Sequence, residues 1–392
     1  MKIAVLTGGF PSSDNPAKSI FNLRAVKGLQ KYASVCVYHY RFWKLGRPFI
    51  KRYTYEGVNV VAVSLPIIPS GSPFVNAFFN RVWMWLSKIL LKEELKNYDI
   101  FYSIGLGSAP LAAYLAKTCY KKHVSQTIGS DLLIYLPEKE KYFGLWKWTQ
   151  NTNEVLCNSL SLQEALNQKY PKMKSRVAYR GTNLSKFYSD NKSNNNNNSV
   201  NMLFLGGFPN RGGSGMGSNL KGGETLKAVI QLLDENDNLD VIFRIGGPES
   251  SSDKLNSWRE QLKNPERVQL IGTLKPDDIP SLMQKTDVVL IPSLSEGLPN
   301  VGVEAIASGC LLIGSNVGGI PEIITNNVSG LLLEPDDILE WKSALEDVII
   351  NFDKYLPMIE FSVAKAREDF DANNYPKKLY EMFQENLIPS QV

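Results

Sequence analysis

The sequence predicts an α/β protein made of two Rossmann-like, doubly wound domains. An apolar strand at Ile3–Thr7 runs into Gly8-Gly9 and then a helix, and the same order of strand, glycine-rich turn and helix begins again at Met202–Leu205. A polar, asparagine-rich stretch separates the two patterns. A chain of 392 residues is long enough for two such domains, each with its own core.

The composition is that of a globular protein, with 43% hydrophobic and 21% charged residues. The four cysteines are far apart and form no pair motif, which suits free thiols in a reducing compartment. Met1-Lys2 leads directly into the first strand rather than an export signal, and no apolar run reaches the roughly 18 residues that a spanning helix needs. We therefore expect a cytoplasmic protein.

Charge is divided unevenly along the chain. Residues 1–190 contain 26 Lys and Arg against 11 Asp and Glu, a balance of +15, and the remainder contains 17 against 28, a balance of −11. A basic half suggests an anionic partner, which could be a nucleic acid, an anionic lipid surface or a phosphorylated acceptor. No groove-reading motif accompanies the charge, so we do not expect nucleic acid binding.

The first half also contains an aromatic-rich helix, predicted over residues 74–92. It carries three cations, Arg81, Lys88 and Lys92. Two interpretations stay open from the sequence. The helix packs on the sheet as part of the core, or it is an interfacial helix that docks on anionic lipid.

Histidine and metal chemistry are not expected. The two histidines, His39 and His123, offer no general base, no metal cluster and no Ser-His-Asp set. The spacing Asp369-Phe-Asp371 imitates a metal-binding pair but lies in a helical tail. We therefore expect that no metal or other cofactor is required.

The asparagine-rich stretch is the natural domain boundary, because it has no apolar residue to bury and suits a flexible linker. The predicted organisation is a first domain over 1–188, a linker over 189–200 and a second domain over 201–370. A terminal helix over 371–392 is expected to return to the first domain.

The stretch from Ile291 to Gly309 carries the strongest chemical signal. It predicts a buried strand, a polar loop and a short helix over 301–307, with Glu296 in the loop and Glu304 in the helix. Free N–H groups at such a helix N-terminus bind anions, whereas carboxylates accept hydrogen bonds from hydroxyls. A nucleotide sugar offers both phosphate and hydroxyls. The plain alternative is one acid that complements the helix dipole and one that is solvated.

This stretch resembles the donor site of retaining glycosyltransferases of family 4, which have the GT-B fold. The resemblance extends through the second glycine-rich turn at Gly314–Glu322 and through Asn327–Leu333, and it runs without gaps from about residue 267 to 337. It implies two Rossmann-like domains with a donor cleft between them, and retention of anomeric configuration. In that family Glu296 would hold a donor-sugar hydroxyl beside the anomeric carbon, and Glu304 would bind the ribose.

The same resemblance implies which residues hold the rest of the donor. The diphosphate would meet cations and backbone amides, and the base would lie near the end of a later strand. The expected donor-binding residues are Lys221, Arg211, Gly206, Gly207, Leu274, Leu298, Pro299, Asn300 and Val301.

Three positions depart from the family pattern. Gly207 stands where the family has an arginine, so we expect Arg211 in the following loop to replace it. Ile128, next to Gly129, stands where the family often has a histidine that contacts the sugar near its C6 hydroxyl, which favours a donor with little polarity at C6. The family's phosphate-contacting loop falls near Ser19, in the part of the cleft formed by the first domain, and the glycines of that loop are missing here.

The predicted function is retaining transfer of a sugar from a nucleotide-diphosphate donor, with UDP favoured over GDP. The expected acceptor is a glycan or lipid-linked glycan in cell-envelope polysaccharide synthesis, and the protein would be cytoplasmic or peripheral on the inner face of the membrane. Two alternatives stay open: a non-catalytic nucleotide-sugar-binding protein, and a nucleotide-sugar epimerase of the same architecture, which would give product without an acceptor.

Overall fold

The structure of the protein is a computed structural model, which describes residues 1–12, 19–43, 48–65, 73–129, 131–135, 145–188, 199–208 and 219–388. The chain divides into two compact units. The first unit comprises Met1–Arg180 together with Ala372–Val392, and the second comprises Gly181–Asp371.

The first unit contains a sheet of eight described strands in the order β3-β4-β2-β1-β5-β6-β7-β8. All neighbouring strands are parallel except β3, which is antiparallel to β4. The strands are β1 (Lys2–Thr7), β2 (Ser34–Phe42), β3 (Ile50–Tyr55), β4 (Val58–Leu65), β5 (Ile100–Ile104), β6 (Lys122–Thr127), β7 (Glu154–Cys157) and β8 (Ser175–Val177). The helices up to Arg180 are α1 (Ile20–Leu29), α2 (Pro73–Leu95), α3 (Ala109–Thr118) and α4 (Leu160–Lys169).

The central strands of this sheet are buried on both faces. Every residue of β5 is buried, and five of the six residues of β1 and of β6 are buried as well. Such continuous burial is typical of parallel strands whose two faces are covered by helices. The polar residues of β6 other than Lys122 are buried as well, and their side chains form hydrogen bonds with neighbouring residues.

His123 is one of these buried polar residues. Its ring nitrogens lie 3.0 Å from Ser103 Oγ and 2.9 Å from Thr152 Oγ1, and burial lowers its pKa to about 3. The neutral imidazole therefore has a structural role inside the sheet, and it offers no exposed base.

We expect His123 to make the protein less stable at mildly acidic pH. The folded pKa is about 3 and the ordinary value is 6.5, so between these two pH values the unfolded state binds up to one more proton than the folded state. Stability then falls by up to about 1.4 kcal/mol for each unit of pH lost in that window, and above it this residue contributes nothing. Urea unfolding of wild type and His123→Gln between neutral and mildly acidic pH measures the difference. Parallel pH dependences in the two proteins would contradict this assignment.

The second unit contains a parallel sheet of six described strands in the order β11-β10-β9-β12-β13-β14. Its strands are β9 (Val200–Phe204), β10 (Val241–Gly246), β11 (Val268–Gly272), β12 (Val288–Ile291), β13 (Leu311–Ser315) and β14 (Leu331–Leu333). Its helices are α5 (Gly223–Asp234), α6 (Asp253–Glu260), α7 (Ile279–Met283), α8 (Asn300–Ala307), α9 (Ile320–Ile323), α10 (Ile338–Ile350) and α11 (Leu356–Asp369).

A separate hydrophobic core holds the second unit together. Apolar side chains of β9, β10, β12 and β13 meet those of α5 and α10 there, around the fully buried Trp341. Helix α5 supplies Leu226, Val229, Ile230 and Leu233, whose spacing of three and four residues places them on one helical face. The residues before α5 are thereby held at the carboxyl end of β9.

The last helix, α12 (Tyr375–Leu387), belongs to the first unit. Tyr375, Leu379 and Phe383 are buried in the core of that unit. The Tyr375 hydroxyl donates to Gln126 Oε1 at 2.7 Å and lies 3.0 Å from the Tyr102 hydroxyl. Both aromatic packing and buried hydrogen bonds therefore tie the end of the chain to β5 and β6.

The unit boundaries differ from the predicted domain limits. The first unit ends at Arg180 rather than at 188, because Thr182 pairs with Asp371 and its N–H donates to Phe370 O at 2.9 Å. The predicted linker also ran too far, because Val200 is already part of β9. Residues 189–198 of that linker lie outside the described residues.

Among the described residues, no helix has both the length and the apolar character required to cross a membrane.

Candidate active site

The strand order of the second unit reverses beside β9, which has β10 on one side and β12 on the other. In a doubly wound sheet, the loops that leave the carboxyl ends of the strands on either side of such a reversal diverge, and ligands bind in the crevice that results. The loop after β9 carries Lys221 and the loop after β12 carries Glu296. The topology thus brings together two predicted site residues that are far apart in sequence.

Lys221 and Glu296 form an ion pair through Nζ and Oε1. Ser293 Oγ also donates to Oε1 of Glu296, at 3.4 Å. The Lys221 side chain is 50% exposed and that of Glu296 only 12%. An anionic ligand that approaches from solvent therefore meets the cation first, with the carboxylate beneath it.

Close backbone packing holds the two loops together. Leu294 N–H donates to Leu220 O at 2.8 Å. Gly222 has φ +73°, and a Cβ at this position would lie 1.7 Å from Pro292 O. Gly206 faces the stem of Lys221, because a Cβ there would lie 2.9 Å from the lysine Cβ. Gly222 is therefore required by the close approach of the loop that carries Glu296, and Gly206 by its packing against Phe204 and Lys221.

The second glycine-rich turn holds Glu296 from the other side. Gly318 has φ +55°, and a Cβ added there would lie 1.9 Å from Glu296 O. Gly318 belongs to the segment between β13 and α9, which resembles the second turn of the family signature. Its role is structural: it allows the main chain of Glu296 to lie against this turn.

The N-terminus of α8 faces the same end of the sheet. The first N–H groups of a helix have no intrahelical acceptor, so Asn300 and Val301 can donate to an anion. Leu298 precedes them and is buried. Pro299 is a correction to the predicted set, because proline has no N–H to offer. Its carbonyl accepts the N–H groups of Gly302 and Val303 and begins the helix.

Glu304 lies in the second turn of α8, away from the helix N-terminus. It is half-buried, and Oε1 accepts a hydrogen bond from Thr182 Oγ1 at 3.3 Å. Thr182 is almost fully buried and is itself fixed by its pairing with Asp371. The carboxylate is therefore positioned by a residue far from it in sequence.

Gly207 has a structural reason for not being an arginine. Its φ is +69°, and a Cβ would lie 2.6 Å from Pro248 O. Its N–H donates to Gly246 O at 3.2 Å, so the loops after β9 and β10 pack backbone against backbone. A side chain at position 207 has no room in this arrangement.

Leu274 is not brought to the pair, and Arg211, the expected substitute for the missing arginine, lies outside the described residues. Leu274 is half-buried and follows β11, which is the edge strand, two positions from β9 in the sheet.

The first unit has its own reversal of strand order, between β1 and β5. Gly8 N–H, after β1, donates to Ser108 Oγ, after β5, at 3.1 Å. Ser19 precedes α1 with φ 54° and ψ 39°, the left-handed conformation that glycine favours. A Cβ on Gly9 would lie 2.5 Å from Ser19 Oγ. The loop thus keeps a glycine-like backbone at Ser19 although the residue is serine.

Ile128 and Gly129 lie at the carboxyl end of β6, held by the buried carboxylate of Asp131. Oδ1 of Asp131 accepts from Ile128 N–H at 3.1 Å and from Gly129 N–H at 2.9 Å. It also accepts from Thr127 Oγ1, and Oδ2 accepts from Leu106 N–H at 2.8 Å. The Ile128 side chain remains 43% exposed. The carboxylate therefore fixes the backbone while the isoleucine side chain projects into solvent.

We expect Asp131→Asn to destabilise the first unit by about 1–3 kcal/mol. In wild type both carboxylate oxygens accept hydrogen bonds from backbone N–H groups. In the variant, the amide NH₂ replaces one of these oxygens in either orientation, so a buried N–H donor loses its acceptor. Thermal unfolding measures the change. Asp99→Asn is the matched control, because its carboxylate accepts from Lys2 N–H at an exposed position. Equal effects of the two substitutions would contradict the role given to Asp131.

Sequence analysis missed four positioning residues: Asp131, Thr182, Asn219 and Ser293. Asn219 begins the turn before α5, since Oδ1 accepts from Glu224 N–H at 2.9 Å. An asparagine just before Gly222-Gly223 is a recognisable start signal for a helix. Thr182 and Ser293 carry no such signal, because their roles depend on partners fixed by the fold.

Within the described residues, no group of three or more His, Cys, Asp or Glu side chains is arranged to hold a metal ion.

The sequence of the second unit matches a known family. The family described as "Glycosyl transferases group 1" matches residues 214–362, which include Lys221, Glu296 and Glu304. The matched segment therefore contains the ion pair, α8 and the second glycine-rich turn.

Curated relatives carry related names. An uncharacterized glycosyltransferase of Methanocaldococcus jannaschii is 27% identical over 260 residues, covering 66% of this chain and 67% of the relative. A D-inositol 3-phosphate glycosyltransferase of Corynebacterium diphtheriae is 30% identical over 134 residues, covering 33% of this chain and 31% of the relative. The chain thus spans only about a third of the length of that second relative.

Solved structures show the same fold over nearly the whole chain. The Anabaena protein HepE in complex with UDP superposes with a TM-score of 0.72 and 18% identity, covering 98% of this chain and all of that one. By its fold, this chain is therefore a two-domain α/β protein with the GT-B architecture. The family match and the names of the relatives support a glycosyltransferase with this fold.

Proposed function

We propose that this protein is a retaining glycosyltransferase of family 4 that uses a nucleoside-diphosphate sugar, with UDP favoured over GDP. The observation that carries the proposal is the meeting of Lys221 and Glu296 at the strand reversal, beside the N-terminus of α8. A cation, free amides and a shielded carboxylate suit a ligand with a diphosphate at one end and hydroxyls at the other. The UDP bound by the structural neighbour HepE supports this choice of nucleotide.

In the proposed reaction, the bond between the anomeric carbon and the β-phosphate oxygen breaks, and a bond to the acceptor oxygen forms on the same face. Lys221 and the N–H groups of Asn300 and Val301 stabilise the charge that develops on the leaving diphosphate. The acceptor proton passes to a phosphate oxygen of the leaving group. Glu296 holds a sugar hydroxyl beside the reacting carbon, and Glu304 binds the ribose.

The resting ion pair has a consequence for donor binding. Lys221 and Glu296 neutralise each other before the donor arrives. The diphosphate then replaces the carboxylate as partner of the lysine, which leaves Glu296 ready to accept from a sugar hydroxyl. Fixed cationic charge takes the role that a metal would otherwise have, so we expect transfer to continue in EDTA.

The proposed donor has little polarity at C6, such as a 6-deoxy sugar or a pentose. The support is the apolar, exposed side chain of Ile128, whose backbone is fixed by Asp131. Equal rates with 6-deoxy and 6-hydroxy donors of the same nucleotide would remove this part of the proposal and leave the rest intact.

The proposed acceptor is a glycan or lipid-linked glycan used in cell-envelope polysaccharide synthesis. The protein would then work in the cytoplasm, at the inner face of the membrane. The support is the basic first half of the chain, with a balance of +15 over residues 1–190, which suits an anionic surface or a phosphorylated acceptor.

The test is thermal unfolding of wild type and Glu304→Gln with UDP, GDP and ADP. A nucleotide at about 100 times its dissociation constant stabilises the folded state by about 2.7 kcal/mol. We expect a shift with one nucleotide in the wild type, and a smaller one in Glu304→Gln. Absence of a shift with every nucleotide in folded protein would overturn the donor site.

A second measurement separates transfer from the alternatives. With the nucleotide sugar that binds, a transferase releases the nucleoside diphosphate faster when an acceptor glycan is added. A non-catalytic binding protein releases none, and an epimerase converts the sugar without any acceptor. Either of those two results would overturn the proposed transfer while leaving the nucleotide site in place.

A further inference from the structure

Helix α2 presents an apolar stripe to solvent. Phe78 is 63% exposed, Trp85 57% and Ile89 59%, although all three are large hydrophobic residues. Their spacing of seven and four residues places them within about 40° of one another around the helix. Leu91 and Leu95, about 140° and 100° around the helix from this stripe, are buried in a core that includes residues of α3. The stripe is therefore an exposed apolar face, separate from the residues through which α2 packs on the core.

Three cations lie along one flank of this stripe. Arg81, Lys88 and Lys92 fall on the same side of it on the helical wheel. In the part of the chain that the structure describes, no carboxylate lies within ion-pair distance of these three side chains. Glu93, on the other flank, is paired with Lys96 at 2.7 Å. The helix therefore has an apolar stripe beside net positive charge.

More positive charge gathers where α2 and α3 end. Burial raises the pKa of Cys119, and among the opposing influences are the charges of Lys92, Lys121 and Lys96. The thiol of Cys119 lies against Lys92 O, so these lysines surround the junction of the two helices. Tyr120, at this junction, is 95% exposed. An exposed aromatic ring and three lysines thus lie near this junction.

We propose that this surface, formed by Phe78, Trp85, Ile89, Arg81, Lys88 and Lys92, docks on anionic lipid. A helix lying in the membrane interface buries an apolar face among the acyl chains while cations beside it meet anionic headgroups. Charge complementarity favours this occupant over a second copy of the chain, because two such surfaces would bring like charges together. The inference adds a docking surface to the proposed location, and its test is vesicle binding, which needs no transfer activity.

The experiment is flotation of the full chain with vesicles. We expect wild type to float with phosphatidylcholine vesicles that contain phosphatidylglycerol, and to remain in the bottom fraction with vesicles of phosphatidylcholine alone. High salt should release the bound protein from the anionic vesicles. Trp85→Ser combined with Ile89→Ser removes the stripe and should abolish flotation. Replacing Arg81, Lys88 and Lys92 by glutamine should weaken binding by about fivefold for each cation, or roughly a hundredfold in total.

Phe361→Ser is the matched control, because Phe361 is also an exposed aromatic residue but belongs to the second unit. It should float like wild type, and thermal unfolding shows whether each variant is folded. Failure of wild type to float with the anionic vesicles would overturn the proposal, as would equal flotation of the Trp85 and Ile89 double variant. A dimer that this double variant dissociates, without lipid binding, would assign the surface to a second copy instead.

Discussion

Replacing Gly222 with alanine should lower the free energy of unfolding by about 3 kcal/mol or more and abolish nucleotide binding. The new Cβ would stand 1.7 Å from Pro292 O, and the backbone at this position has φ +73°. A backbone carbonyl in a close-packed loop cannot move aside as a flexible side chain can. Either the start of α5 or the loop that carries Glu296 must shift, and each shift separates the ion pair.

The matched control for this substitution is Gly57→Ala. Gly57 has φ +80°, but a Cβ there would have nothing within 4 Å. That variant therefore carries only the strain of the left-handed backbone, about 1–2 kcal/mol. Urea unfolding gives the stability of both variants, and calorimetry with UDP gives the binding. If both variants lose the same stability and Gly222→Ala still binds UDP normally, the close approach of the two loops has no part in forming the site.

Lys221→Ala should lower kcat/KM by about 10²–10³-fold and change stability little. Lys221 lies at the strand reversal, where its side chain is half-exposed and forms an ion pair with the shielded carboxylate of Glu296. Without it the leaving diphosphate loses a fixed positive charge, and the charge of Glu296 is left uncompensated beside it. UDP binding should weaken as well, because the same cation meets the ground-state diphosphate.

Lys254→Ala is the control for the loss of one positive charge in the same unit. Lys254 is highly exposed and lies 4.0 Å from Glu224, in a contact that contributes little to stability. Its removal should leave UDP binding and transfer unchanged. Lys221→Arg should recover part of the lost rate, because it restores the charge with a different geometry. Near-normal transfer by Lys221→Ala would show that the diphosphate is held elsewhere and would remove Lys221 from the mechanism.

Local signals predicted much of the second unit. The strand, loop and helix from β12 to α8 follow from an apolar run that ends in proline, a polar loop, and small residues before Gly309. The contact of Lys221 with Glu296 could not be derived from such signals. The two residues are 75 positions apart, and they meet because β12 is one of the two strands that flank β9. Strand order is a property of the whole sheet, and here only the family resemblance supplied it.

Other differences arise from packing that sequence patterns do not report. From the sequence, glycine at position 207 suggests the loss of a contact that the family's arginine makes. In the structure, Pro248 occupies the space that a side chain at position 207 would need. The domain limit at 188 followed composition, whereas the backbone pairing of Thr182 with Asp371 sets the boundary. Composition marks where a chain has little to bury, and it does not show where the last hydrogen bonds of a unit are made.

The division of the chain also constrains the order in which the protein can fold during synthesis. Residues 181–371 form one compact unit, while Tyr375, Leu379 and Phe383 of the other unit's core come after them. The ribosome must therefore finish the whole second unit before it delivers α12. The unit begun first is the one completed last, and until α12 arrives its β5 and β6 have apolar surface that a chaperone could recognise.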